Sequence, residues 1–146
     1  MRSAQDVDRH VGFLVDTSVF IDIERTSSSS RNVLKDAEVY MAAVTASELL
    51  HGVHRANTPA RRATRERFVE AALGAIPVLV FDLSVARVYA RVWAALQSAG
   101  INIGTHDLQI AATALRFDLT VLTGNIRDFG RVLGLKVQRP EIPEAK

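Results

Sequence analysis

The sequence predicts an α/β fold in which a mostly parallel sheet is covered by helices on both faces. Three features predict it. Short apolar runs alternate with segments of helical periodicity, the order produced when helices cross over between parallel strands. The first run, Gly12 to Val15, is apolar throughout, as expected of a strand buried on both sides. Carboxylates stand near the points where strand gives way to helix: Asp16, Glu48, Asp107 and Asp128.

With 146 residues, 48% apolar and 23% charged, the chain has the size and composition of one globular domain, able to bury roughly 70% of the surface its unfolded form exposes. The expected organisation is a single domain over 1–146, with 1–11 as an N-terminal extension and 139–146 as a proline-containing tail.

The elements follow in order. Gly12 to Val15 forms the first strand, and Thr17 and Ser18 can open the helix behind it. Ser27 to Ser30 is a loop, and Ser30 can cap a short helix reaching Lys35. Val39 to Val44 is the second strand. Thr45 precedes Glu48 by three residues, the spacing of a capping box, so Glu48 has a purely structural alternative as the cap of its own helix. A further helix runs from Pro59 to about Leu73, ended by Gly74 to Pro77. Val78 to Phe81 is the third strand. From Ser84 to Ser98, Val85, Val88, Tyr89, Val92, Trp93 and Leu96 recur at three and four, the stripe of an amphipathic helix on a sheet. Thr105 opens the next helix, where Leu108, Ala111, Ala112 and Leu115 line one side. Thr120 to Leu122 is the fourth strand, and Lys136 to Gln138 a fifth at an edge.

Composition removes several classes of function. The absence of cysteine excludes disulfides, thiolate metal sites and cysteine nucleophiles, leaving oxygen and imidazole chemistry. No run reaches the roughly 18 apolar residues of a membrane span, and the N-terminus lacks a signal peptide's apolar segment, so a cytoplasmic protein without membrane contact is expected. The net charge of +2 is small, but Arg55, Arg61, Arg62, Arg65 and Arg67 face a single acid, Glu66, within one stretch. Such a run can serve nucleic-acid phosphate, since the guanidinium fork donates paired hydrogen bonds; the bland alternative is a solvated helix face or an edge that pairs with an acidic protein partner.

In an open parallel sheet, sites form outside the carboxyl ends of the strands, where strand order reverses. Asp16 ends the first strand, Glu48 follows the second and Asp128 the fourth, while Asp107 lies in a first helical turn, where the dipole favours negative charge. Two unit charges about 4 Å apart repel by roughly 4 kcal/mol near a protein surface, so such a cluster calls for a cation or a proton. Carboxylate oxygens without thiolate select Mg²⁺ or Mn²⁺. Each acid also has a bland reading: Asp107 as a first-turn acid, Asp128 as a turn residue. Asn125 either orients its neighbours or makes the turn after Gly124.

The segments LVDTSVFI, TASELLHGV, THDLQIAATAL and VLTGNIRDF, in this order and spacing, resemble the motifs of PIN-domain ribonucleases, above all the toxin component of VapBC-type toxin–antitoxin pairs. The resemblance covers Phe13 to Val137. It implies a PIN-like three-layer α/β/α sandwich with a central mostly parallel sheet, and Mg²⁺-dependent endoribonuclease activity on an RNA substrate. It also implies inhibition by a small VapB-type antitoxin, with homodimers and toxin–antitoxin hetero-oligomers. Asp16, Glu48 and Asp107 match the three core acids, and Asp128 the more variable fourth. Thr17 and Ser18 match hydroxyls that follow the first acid and help orient metal or phosphate. Gly124 departs from the Arg or Leu common before the Asn of the last motif.

Other chemistries fit less well. Glu48, His51 and His54 fall at i, i+3 and i+6, so the first and last point nearly opposite ways. His106 neighbours Asp107 and is expected to point elsewhere on the helix, in an exposed or packing role. A phosphoaspartyl or receiver-like domain would need a further acid beside Asp16 and a lysine after a later strand, and has neither. A P-loop is absent. A PIN-like interaction module without catalysis stands as the other alternative, opposed by the presence of all four acids.

Overall fold

Four residues suffice for a first strand because that strand lies at the centre of its sheet. In a computed structural model of the chain, which describes residues 12–26 and 38–140, β1 (Gly12–Val15) pairs with β2 (Glu38–Ala42) on one side and β4 (Thr120–Leu122) on the other. β3 (Val78–Leu79) and β5 (Val137–Gln138) complete the order β3-β2-β1-β4-β5, with every pairing parallel. Strand order therefore reverses between β1 and β4, and a crevice opens beyond their carboxyl ends.

Successive side chains of a strand point to opposite faces, which sorts the core into two halves. Leu14 and Val121 pack on one face with α4 (Leu83–Ser98) and α5 (Thr105–Phe117). Val15, Met41 and Leu122 pack on the other with α1 (Thr17–Arg25), α2 (Ala43–His54) and α3 (Pro59–Ala75). The short α6 (Ile126–Phe129) follows β4 and anchors itself by Phe129, which is fully buried. The three layers expected from the sequence are thus present, with a sheet that is parallel throughout.

Local chemistry sets the helix ends. Thr58 accepts the Arg61 backbone N–H at 3.1 Å and Pro59 takes the first helical position of α3, where its missing N–H is no loss. Asp82 accepts the Val85 N–H at 3.1 Å and so opens α4 at Leu83, one residue before the expected Ser84. α5 ends in the left-handed residue Asp118 (φ 53°), whose carboxylate lies 3.1 Å from Lys136 Nζ.

Several boundaries differ from expectation for physical reasons. β2 ends at Ala42, not Val44, because Ala42 is already the extended residue that precedes α2. Thr45 then falls in the first turn, where its fully buried hydroxyl faces Thr17, so the capping box does not form. β3 stops at Leu79; Val80 is 64% exposed and beyond any strand partner. Trp93 lies off the buried stripe of α4, 51% exposed and edge-on to Tyr89 at 5.9 Å. α5 is buried continuously from Ile110 to Ala114 rather than on one side, its small residues fitting it between neighbours. The expected loop at Ser27–Ser30, the short helix to Lys35 and the extension over 1–11 lie outside the described residues, as does most of the tail.

Candidate active site

The first acid is held by the switch point itself. Asp16 follows β1 directly and its backbone N–H donates to Leu122 O of β4 at 2.9 Å. Only 5% exposed, its carboxylate would be poorly solvated without partners. Ser18 Oγ and Thr123 Oγ1 each donate to Oδ2 at 2.8 Å. Thr123, itself fully buried, then accepts the Asn125 N–H at 2.9 Å, so one hydroxyl ties the first acid to the loop carrying the last motif.

The other acids approach from three helices. Glu48, in the second turn of α2, takes a hydrogen bond on Oε1 from Thr17 Oγ1 at 2.8 Å. Its Oε2 lies 3.3 Å from His106 Nδ1 at the start of α5. Asp128 in α6 accepts from Asn125 Nδ2 at 3.1 Å and lies 3.5 Å from Arg131. Asp107 occupies the first turn of α5.

The electrostatics of Asp107 tie the four together. Partial burial, first, raises its carboxyl from 3.8 to about 6, and the charges of Asp16, Glu48 and Asp128 push the same way, with His106 opposing. A carboxylate is disfavoured both by lost hydration and by neighbouring negative charge. Three segments far apart in sequence therefore act on one side chain. Among the described residues no three acidic or imidazole groups are yet gathered closely enough to hold an ion. The donors nonetheless suit a hard divalent cation: they are carboxylate oxygens, two bracing hydroxyls already occupy one oxygen of Asp16, and a positive charge would relieve the repulsion at Asp107.

Each supporting residue bonds one of the acids. Thr17 and Ser18 brace Glu48 and Asp16 respectively, and Asn125 braces Asp128. The arginine run lies apart on the α2–α3 hairpin. Arg65 donates to Gly52 O at 2.9 Å and lies 3.5 Å from Glu24, and Arg61 donates to Asn57 at 2.9 Å, so these two brace the scaffold. Sequence reasoning passed over Thr123, and it placed His106 as exposed, which it is, but missed its approach to Glu48. A hydroxyl closing the strand next to β1 was the available signal for Thr123. For His106 the missed point is geometric: side chains tilt toward a helix's N-terminus, so consecutive first-turn residues both reach the rim.

The sequence matches the PIN domain family over residues 13–134. Ribonuclease VapC1 of Rickettsia felis is 35% identical over 127 residues, covering 87% of this chain and 95% of the relative. The tRNA(fMet)-specific endonuclease VapC of Shigella flexneri is 29% identical, covering 86% of this chain and 96% of the relative. Among solved structures, DNA-bound VapBC from Salmonella typhimurium matches with a TM-score of 0.79 at 25% identity, covering 88% of this chain and 98% of that one. With a family match that spans β1 to β4 and all four acids, and relatives covered almost end to end, this chain belongs to the PIN-domain family, on its VapC-type branch.

Proposed function

We propose that the protein is a divalent-metal-dependent endoribonuclease, the toxin of a VapBC-type toxin–antitoxin pair. The observation that carries this reading is the convergence of Asp16, Glu48 and Asp128 on Asp107 beyond the strand-order reversal. The similarity to ribonuclease VapC1 of Rickettsia felis supports it.

Asp16 and Asp107 are the chief candidates to hold Mg²⁺, or Mn²⁺ in its place, with Glu48 and Asp128 completing the set. Bound there, the ion supplies Lewis-acid polarisation of a phosphodiester and a water acidic enough to attack at neutral pH. The protein's own contribution is orientation. Ser18 and Thr123 fix the Asp16 carboxylate, Thr17 fixes Glu48, and Asn125 fixes Asp128. In-line attack at such a site leaves a 5′-phosphate. Arginines of the run from Arg55 to Arg67 are candidate contacts for RNA or antitoxin outside the site.

The inhibitor in this reading is a small VapB-type antitoxin, supported by the likeness to a VapBC complex. The toxin acts in the cytoplasm as a single domain over 1–146, as a homodimer and within a toxin–antitoxin hetero-oligomer. Among the described residues no helix is long and apolar enough to cross a membrane.

The test compares antitoxin-free protein with Asp107→Asn on pooled structured RNA, transfer RNA included, with Mg²⁺ or EDTA. Expected are Mg²⁺-dependent cuts with 5′-phosphate ends that vanish in the variant. Equal cutting by both would assign the activity to a contaminant or another site. No cutting together with no metal binding would favour the interaction-module reading.

A further inference from the structure

Glu48 is approached at both carboxylate oxygens, by different elements. Thr17 of α1 donates to Oε1 at 2.8 Å, while His106 Nδ1 of α5 stands 3.3 Å from Oε2. The Glu48 side chain is 31% exposed, so unlike Asp16 it is not confined by burial. Its charge and that of Asp107 repel, so without a second partner the partly exposed carboxylate is free to turn away. A donor fixed on a neighbouring helix limits where that carboxylate can move. His106 is the residue in that place: 59% exposed, it stands at the rim of the crevice, on the helix that carries Asp107.

We propose that His106 is a positioning residue for the nuclease site, holding Glu48 in the crevice through an Nδ1–H donated to Oε2. The role rests on the metal-nuclease reading for its consequence, but the contact itself does not. A donor bond of this kind fixes which ring nitrogen carries the proton of the neutral imidazole, and leaves Nε2 as the acceptor. It needs no change of protonation during turnover. Groups that orient metal-ligating side chains in this way typically change metal affinity by about tenfold or more when removed.

Two measurements test it. Two-bond proton–nitrogen correlation spectra of the metal-free protein at alkaline pH read the tautomer of His106. The proposal expects Nδ1–H in the wild type and a move toward Nε2–H in Glu48→Ala. Manganese titration followed by electron paramagnetic resonance then compares His106→Leu with His106→Asn, whose amide nitrogen can take the place of Nδ1. Affinity for Mn²⁺ should fall about tenfold in the leucine variant and stay near the wild-type value in the asparagine variant. On RNA, the leucine variant should lose kcat with KM unchanged. An Nε2–H tautomer in the wild type overturns the proposal, as does wild-type Mn²⁺ affinity in His106→Leu. A raised KM at unchanged Mn²⁺ affinity overturns it in favour of direct RNA contact. Wild-type protein that binds no Mn²⁺ would defeat the nuclease reading instead, and the tautomer would still decide the Glu48 contact.

Discussion

Thr123 Oγ1 donates to Asp16 Oδ2 at 2.8 Å, joining residues 107 positions apart. The bond joins the carboxyl ends of the neighbouring strands β1 and β4, where strand order reverses, and both partners are buried. Replacing Thr123 by Val keeps the shape and removes the donor. It also strips the Asn125 N–H of its acceptor. Leaving buried polar groups unpaired costs about 1 to 3 kcal/mol. Urea unfolding of Thr123→Val should show a loss of about 2 kcal/mol, with Thr123→Ser close to wild type. An unchanged midpoint would mean that water replaces the hydroxyl.

Asp107 predicts a pH dependence of the metal-free protein. Its folded-state value of about 6 lies above the ordinary 3.8, so the folded state favours the protonated acid. The stability this contributes is fully present below about pH 4 and is lost as pH rises through about 6. Asp107→Asn lacks that loss. At neutral pH without metal the variant should therefore be the more stable protein, by about 1 kcal/mol once solvent screening at a partly exposed position is allowed for. Melting curves of both proteins from pH 4 to 8 check the sign. Curves that run parallel would remove the repulsion.

The same variant separates charge relief from metal binding. An ion present at ten times its dissociation constant stabilises the fold by about 1.4 kcal/mol. Mg²⁺ should raise the wild-type Tm and EDTA should reverse the change, while Asp107→Asn should respond little to either. An equal rise in both proteins would place the ion elsewhere.

How much of this could be read from the sequence depended on whether a local pattern controls the feature. β4 was legible to the residue because Thr120 to Leu122 is a short apolar run between a helix end and a glycine turn. The amphipathic stripe of α4 was legible for Val85, Val88, Val92 and Leu96, yet Trp93, which fits the same spacing, lies outside. Periodicity gives a face and leaves its width open. The start of α2 was misplaced because Thr45 and Glu48 have capping-box spacing, while a nonlocal contact with Thr17 decides what that threonine does. The four acids could be placed together only through topology. Their braces Thr123 and His106 depend on tertiary neighbours that no spacing records.

Phe129 links the core to the site. It is fully buried, and it belongs to the four-residue α6 that carries Asp128. A helix that short has almost no stability of its own, so packing must hold it. Phe129→Ala should cost about 3 to 5 kcal/mol, a large part of the stability of a domain this size. The gentler Phe129→Leu should remain folded with a modest loss. Because it loosens the element holding Asp128, RNA cleavage should fall by more than the loss of folded protein explains. Activity that merely tracks the folded fraction would separate Asp128 from catalysis.

Arg65 sets a limit on what the arginine run can do. Its guanidinium donates to Gly52 O of α2 at 2.9 Å and approaches Glu24 of α1 at 3.5 Å, so it spans three helices. A group committed to a carbonyl and a carboxylate has fewer donors for phosphate. Arg65→Gln should therefore lower stability by about 1 kcal/mol and leave the KM for RNA unchanged. The exposed Arg55, Arg62 and Arg67 should behave in the opposite way. Their replacement by Gln should shift stability by no more than about 0.5 kcal/mol each. If the run tracks RNA, each lost phosphate contact should flatten the dependence of log KM on log salt by about 0.7. A salt slope that survives all three replacements would remove the run from the RNA path and leave its charge to a protein partner.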